Sequence, residues 1–346
     1  MIGAEDLILI TGATGFIGSR VVENLVDRGF RNLRCFARPS SPPARIEALA
    51  GFRGDGVRLE VFRGNLLSAA DCNAAAQDAT LVIHLAASTG EKSFPDAYMN
   101  SVVTTRNLLD ACLRHRCLRR FVGVSSFTVY ANTQKQRLLD ETCPTETHPE
   151  VRGEAYCFAK VKQEELIAEY GREFGVPYVI LRPGQVYGPG KEGVGGRVGV
   201  GTFGLFLHLG GSNRIPLTYV DNCAEAVVLA GLTPGVDGEA FNVVDDDLPS
   251  SRRFLSMYKR QVSRFPSLYV PHAVSYALCY LWERYSIRSG GQLPLAFNRS
   301  RWRASWRRTS YSNGKLKTRL GWAPTVSSAE GLRRFFEACR AKARNA

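Results

Sequence analysis

Leu7-Ile8-Leu9-Ile10-Thr11-Gly12-Ala13-Thr14-Gly15-Phe16-Ile17-Gly18 decides how this chain folds. An apolar run of strand length is followed at once by three glycines in a G-x-x-G-x-x-G spacing, and then by apolar residues at helical intervals. In that context Gly12 permits a tight turn, Gly15 lets backbone approach a pyrophosphate, and Gly18 lets the helix pack close to the strand. The helix N-terminus adds N–H donors and positive potential. Gly12, Thr14, Gly15, Phe16, Ile17 and Gly18 are therefore candidate binding residues for a dinucleotide.

Outward from this loop, Ile17, Val21, Val22, Leu25 and Val26 line one helical face, with Gly29 placed to stop the helix. Further β-rich apolar runs follow at 33–37, 57–62, 81–86, 120–125 and 178–182. Near-continuous apolar strands alternating with helices predict an α/β fold, a doubly wound parallel (Rossmann) sheet with ligands at the strands' carboxyl ends. After residue 183 the alternation weakens into a glycine-rich stretch. The expected division is a dinucleotide-binding domain over 1–183 and a smaller, mainly substrate-binding α/β part over 184–346, with a return strand near 241–244.

The composition excludes several classes. With 45% hydrophobic and 22% charged residues over 346, the chain is neither disordered nor a membrane bundle. The run 268–285 contains Pro271, His272, Glu283 and Arg284, which argues against a span. Met1–Asp6 is too short and acidic for a leader, so a cytoplasmic location is expected. Nine cysteines without a C-x-x-C pair read as reduced, mostly buried thiols. Asp245, Asp246 and Asp247 read as a solvated loop, so no metal is expected. Residues 1–250 carry 25 Lys/Arg against 29 Asp/Glu, a net of −4, whereas residues 251–346 carry 20 against 3, a net of +17. No interleaved nucleic-acid motif accompanies that basic segment, and no nucleic-acid partner is expected.

Further motifs extend the pattern. They are VIHLAA (82–87), the helix with Asn100, Val103, Thr105, Asn107 and Cys112, the run Val124-Ser125-Ser126-Phe127-Thr128-Val129-Tyr130, Tyr156-x-x-x-Lys160, Leu181-Arg182-Pro183-Gly184-Gln185-Val186-Tyr187-Gly188-Pro189, and Leu320-Gly321-Trp322-Ala323-Pro324. In this order they resemble the extended short-chain dehydrogenase/reductase superfamily, the NAD-dependent epimerase/dehydratase group, over nearly the whole chain. Thr104 stands where that group usually has Gly.

The resemblance implies a nicotinamide dinucleotide cofactor, with Leu85, Ala86, Ala87 and Pro183 beside it. NAD-preferring relatives carry an acid after the second strand; here the segment is Cys35-Phe36-Ala37-Arg38-Pro39-Ser40-Ser41. Arg38 matches a 2′-phosphate geometrically, which favours NADP over NAD. The alternative is an Arg38 that stacks on adenine or points to water. Asn65 replaces the usual Asp, and with Leu66 it faces the expected adenine position.

Tyr156 and Lys160, four apart on a helix, rise from one face. A nearby ammonium and the nicotinamide's charge favour the phenolate, making Tyr156 a usable general acid and base. The resemblance implies that Lys160 also holds the nicotinamide ribose, that Ser126 bonds the substrate oxygen, and that Asn100 supports a kink and water relay behind the lysine. Thr128 and Gln185 complete the candidate substrate contacts. Ser125 reads as structural, and His84, inside a strand, as a satisfied core histidine.

These residues predict hydride exchange between nicotinamide and a secondary alcohol or ketone. The Tyr219-Val220-Asp221-Asn222 step looks like the 3β-hydroxysteroid dehydrogenase and dihydroflavonol reductase branch, with Tyr269, Tyr276, Tyr280, Trp282 and Tyr285 available to line an apolar pocket. The alternative is a nucleotide-sugar epimerase or dehydratase with transient hydride transfer, its pyrophosphate held by Arg299, Arg301, Arg303, Arg307 and Arg308. A third reading is a peripheral protein whose aromatic stretch, with Trp302, Trp306 and the arginines, makes weak contact with an anionic membrane. The family's pairing of the helices carrying Asn107 and Tyr156 implies a homodimer.

Overall fold

A computed structural model describes residues 2–51, 56–87, 90, 93–133, 137–191, 193–290, 292–293 and 297–345. Seven strands make the central sheet: β1 (Leu7–Thr11), β2 (Asn32–Ala37), β3 (Arg58–Arg63), β4 (Ala79–His84), β5 (Arg120–Val124), β6 (Tyr178–Pro183) and β7 (Glu239–Val243). All pairings are parallel, in the order β3-β2-β1-β4-β5-β6-β7. The order reverses between β1 and β4, and a sheet of this kind opens a crevice for ligands at that point. The register sets Thr11 beside His84, so the glycine loop and Leu85–Ala87 leave the sheet side by side.

Alternation along each strand feeds two cores. Ile8, Ile10, Ile83 and Val122 pack with Val21, Val22 and Leu25 of the first helix, Gly18–Asp27, on one face. Leu7, Leu9, Val82 and Phe121 pack on the other face against helices Thr104–His115 and Ala155–Phe174. Strands buried on both faces are what their uninterrupted apolar runs require. Gly29 ends the first helix with φ +83° and its N–H on the Val26 carbonyl.

The chain beyond 183 returns to the same core. Helix Val220–Leu232 joins the Ile8 face, β7 extends the sheet, and Leu316, Leu320 and Trp322 pack beneath them. The remainder builds a second core around Tyr187, Phe254, Phe335 and Phe336. A buried Glu164–Arg182 ion pair, 2.6 Å, ties the Tyr156 helix to β6. Arg182 also donates to the Tyr130 hydroxyl, which donates to Asn242 on β7. The Tyr156 helix is thereby clamped to two neighbouring strands.

Three expectations change. Asp245 is buried, accepts from the Tyr219 N–H and Asn222 Nδ2, and is pushed up to about 6 by burial; only Asp246 and Asp247 are solvated. Trp306 is an interior residue whose indole donates to the Gly196 carbonyl. Tyr269, Tyr280 and Tyr285 face solvent. The nine thiols stand free, seven of them buried.

Candidate active site

A cleft of about 640 Å³ opens at the carboxyl ends of β1, β4, β5 and β6. One wall is the glycine loop. Gly12 has φ +72°, and a Cβ there would stand 2.9 Å from the Ala86 nitrogen; a Cβ on Gly18 would stand 2.1 Å from the Gly12 carbonyl oxygen. No side chain fits at either position without displacing backbone, so the loop and the β4 exit stay in direct contact.

The opposite wall carries Ser125, Ser126, Thr128, Tyr156, Lys160, Pro183 and Gln185. Ser126 ends the β5 exit, where its hydroxyl accepts from the Thr128 N–H and caps the short turn Phe127–Val129. It also hydrogen-bonds the Tyr156 phenol, which favours the phenolate, although burial prevails and pushes the phenol above its ordinary value. The hydroxyls of Ser125 and Thr128 are buried without a protein partner among the described residues. Two such groups lining a cleft are polar atoms that a ligand would satisfy.

Lys160 is buried, and its ammonium donates to the Val124 carbonyl at 2.6 Å and to Gln163 Oε1 at 2.8 Å. Burial pulls it down to about 8, with Glu164 acting in the other direction. The ammonium thus turns toward β5 and Gln163, and burial raises the phenol where the four-residue spacing led to an expected lowering. Gln163 continues a buried chain. Its Nε2 donates to Thr105 Oγ1 at 2.7 Å, and the Thr105 hydroxyl donates to the Ser101 carbonyl at 2.6 Å. With that proton committed, Thr105 accepts from His84 Nε2 at 2.9 Å, and His84 Nδ1 accepts from the Thr11 hydroxyl at 2.7 Å. The Ala86 N–H closes the chain onto Thr11 Oγ1 at 3.3 Å. His84 is pushed down to about 3 by burial and by Lys160, so it is neutral, and its partners are side chains.

Other expected residues lie apart from the cleft's described lining. Arg38 is exposed in the turn after β2. Asn65 is exposed with its Oδ1 accepting the Leu67 N–H, and the Leu66 carbonyl accepts from Asn107. Asn100 is exposed in a π-turn, Met99–Val103, while Gln163 occupies the place behind the lysine. None of Tyr269, Tyr276, Tyr280, Trp282 and Tyr285 lines the cleft. Arg299 is paired with Glu283, and Arg301 with Glu154. Sequence reasoning passed over Gln163, although its place three residues after Lys160 puts it on the same helical face. Lys191 and Arg197, two further cations lining the cleft, with Lys191 over the Phe16 ring, sit in a glycine-rich stretch that carried no signal.

The model of the NAD dependent epimerase/dehydratase family matches residues 8–243. The chain is 25% identical to a 3beta-hydroxysteroid-dehydrogenase/decarboxylase of Arabidopsis thaliana, over 96% of this chain and 79% of the relative. It is 27% identical to a 2-alkyl-3-oxoalkanoate reductase of Stenotrophomonas maltophilia, over 95% and 98%. Its fold is similar to that of a UDP-glucuronic acid 4-epimerase of Bacillus cereus solved with UDP-glucuronic acid and NAD, with TM-score 0.72, 22% identity, and coverage of 97% and 99%.

Proposed function

The chain belongs to the NAD dependent epimerase/dehydratase family, and from that premise we propose that it is an NAD(P)-dependent oxidoreductase interconverting a secondary alcohol and its ketone. The observation that carries this reading is the convergence of Ser126, Tyr156 and Lys160 on one cleft opposite the glycine loop. The loop fits a dinucleotide, since the space a Cβ would need at Gly12 and Gly18 is already backbone, and the Ser125 hydroxyl lacks a protein partner among the described residues. Gly12, Thr14, Gly15, Phe16, Ile17 and Gly18 would hold the pyrophosphate, Asn65 and Leu66 the adenine, and Leu85, Ala86, Ala87 and Pro183 would flank the remainder. A nicotinamide held there would supply hydride exchange with the substrate carbon.

The chain's own residues manage the proton. Tyr156, raised by burial, donates its phenol proton to the carbonyl oxygen in reduction and takes it back in oxidation. Ser126 would hold the same oxygen, and Lys160, positioned by Val124 and Gln163, would have one N–H left for the cofactor ribose. Thr128 and Gln185, which line the same cleft, complete the proposed site.

Lys191 and Arg197 support a substrate with an anionic group. A decarboxylase needs a carboxylate in its substrate, and a 3-oxoalkanoate carries one near the reacting carbon, so relatives of both kinds fit this reading. We favour NADP over NAD because Arg38 is exposed at the β2 exit with no acid beside it. A homodimer through the helices of Asn107 and Tyr156 completes the proposal.

The test is a cofactor-absorbance assay over 3-oxo and 3-hydroxy acids, uncharged hydroxysteroid-type and flavonol-type ketones, and nucleotide sugars, with epimer analysis of products. A net absorbance change with the acids is expected; epimer exchange without one would make the enzyme an epimerase. Arg38→Ala is expected to reduce the NADP-to-NAD affinity ratio about tenfold, the loss of one charge-assisted contact. An unchanged ratio removes the NADP preference.

A further inference from the structure

Helix His272–Arg288 is built against the usual rule. The residues it buries are Ser275, Cys279 and Ser286, small or weakly polar. Several of its large apolar side chains point outward: Val274 is 48% exposed, Leu278 57%, Leu281 61% and Tyr285 63%. Spacings of four, three and four place these four on a single stripe along the helix. Arg284 and Arg288 border the stripe and are exposed. The strand Ser267–Tyr269 that leads into the helix adds exposed Leu268 and Tyr269.

A cationic cleft adjoins this face. Arg252, Lys259, Arg260, Arg264 and His208 line about 500 Å³ of surface cavity with no carboxylate among the lining residues. The Arg252 guanidinium lies over the Tyr269 ring at 5.3 Å, and His208 packs on the same ring, so the cleft and the strand entering the helix are contiguous. His208 is held below its ordinary value by burial, with Arg252, His272 and Lys259 adding to the effect, as a locally positive potential requires. The three acids of residues 251–346 do not offset this charge. Glu283 is paired with Arg299, Glu330 with Arg333 and Arg334, and Glu337 with Arg333.

We propose that the 272–288 stripe and the Arg252–Arg264 cleft form one docking surface for an anionic phospholipid bilayer, with the apolar stripe at the acyl boundary and the cleft on headgroup phosphates. Charge complementarity selects this occupant. A two-fold contact with a second copy sets the patch against itself, cation facing cation. A nucleic acid answers the charge and leaves the stripe wet. A bilayer of anionic lipid answers both. Among the described residues no helix is long and apolar enough to cross a membrane, so the contact is interfacial. Trp302 and Trp306, the anchors expected from sequence, are not part of the surface: Trp306 is interior and Trp302 donates to Ser275 beneath the helix. The inference is independent of the redox assignment.

Vesicle cosedimentation of the full chain tests it, with phosphatidylcholine alone and with added phosphatidylglycerol, at low and high salt. Binding is expected only with the anionic lipid, and salt weakens it. Leu278→Asp with Leu281→Asp, and separately Arg260→Glu with Arg264→Glu, each reduce binding at least about tenfold while leaving the melting temperature and turnover of a soluble substrate unchanged. Leu278→Ser serves where the double aspartate variant unfolds. Wild type remaining in the supernatant at low salt overturns the proposal. So does a stripe variant that binds vesicles like wild type while the cleft binds a DNA duplex, or a stripe-dependent dimer seen by light scattering without lipid.

Discussion

The cleft at the strand ends and the surface of helix 272–288 are opposites in construction. Around the cleft, apolar side chains turn inward and one chain of buried polar groups satisfies itself, from Thr11 through His84, Thr105 and Gln163 to Lys160, leaving the Ser125 and Thr128 hydroxyls for a ligand. On helix 272–288 the small polar residues turn inward and several large apolar ones outward, beside cations without carboxylate neighbours in their cleft. Where the chain covers its own hydrophobic pattern, folding explains the residue. Where it does not, the proposed bilayer contact would supply the missing cover.

The largest expected contrast is between two tyrosines. Tyr156→Phe lowers turnover at least about 10²-fold, the usual worth of a positioned acid–base group, with cofactor titration and melting unchanged. Tyr285→Phe leaves turnover as it was. If Tyr156→Phe keeps most of its steady-state rate with cofactor bound, the cleft is not the site of proton transfer.

Next in size is stability. Ile83→Ala, inside β4, costs about 2–5 kcal/mol through the cavity it leaves. Leu281→Ala stays within about 0.5 kcal/mol, because among the described residues Leu281 is 61% exposed. Urea denaturation of both variants measures the difference, and equal losses would mean that the stripe is covered after all.

The smallest effect is a displaced pH profile. Burial lowers the Lys160 ammonium to about 8, so its charge is lost as pH rises through that value, and the cofactor KM should climb there. Gln163→Leu removes an acceptor that supports the charged form, so the limb moves to lower pH with less than about a tenfold change in kcat. A Gln163→Leu profile superimposable on wild type would reduce Gln163 to a packing residue. Gln163→Glu should restore or raise the limb, which a purely structural role would not produce.

The amino-acid sequence by itself determined the parallel sheet, the glycine loop, the stop at Gly29 and the shared helical face of Tyr156 and Lys160. Each rests on spacing within a few residues, and backbone periodicity turns such spacing directly into a shared face or a turn. Tertiary structure alone decided what each face meets. Gln163 was visible three residues from Lys160, but its partner Thr105 is 58 residues away. Asp245 resembled its solvated neighbours until Tyr219 and Asn222 were brought to it. The 272–288 segment carries apolar residues on several sides, so periodicity could not choose which side is buried. Docking of strand Ser267–Tyr269 and of Trp302 made that choice, and left the leucines facing out.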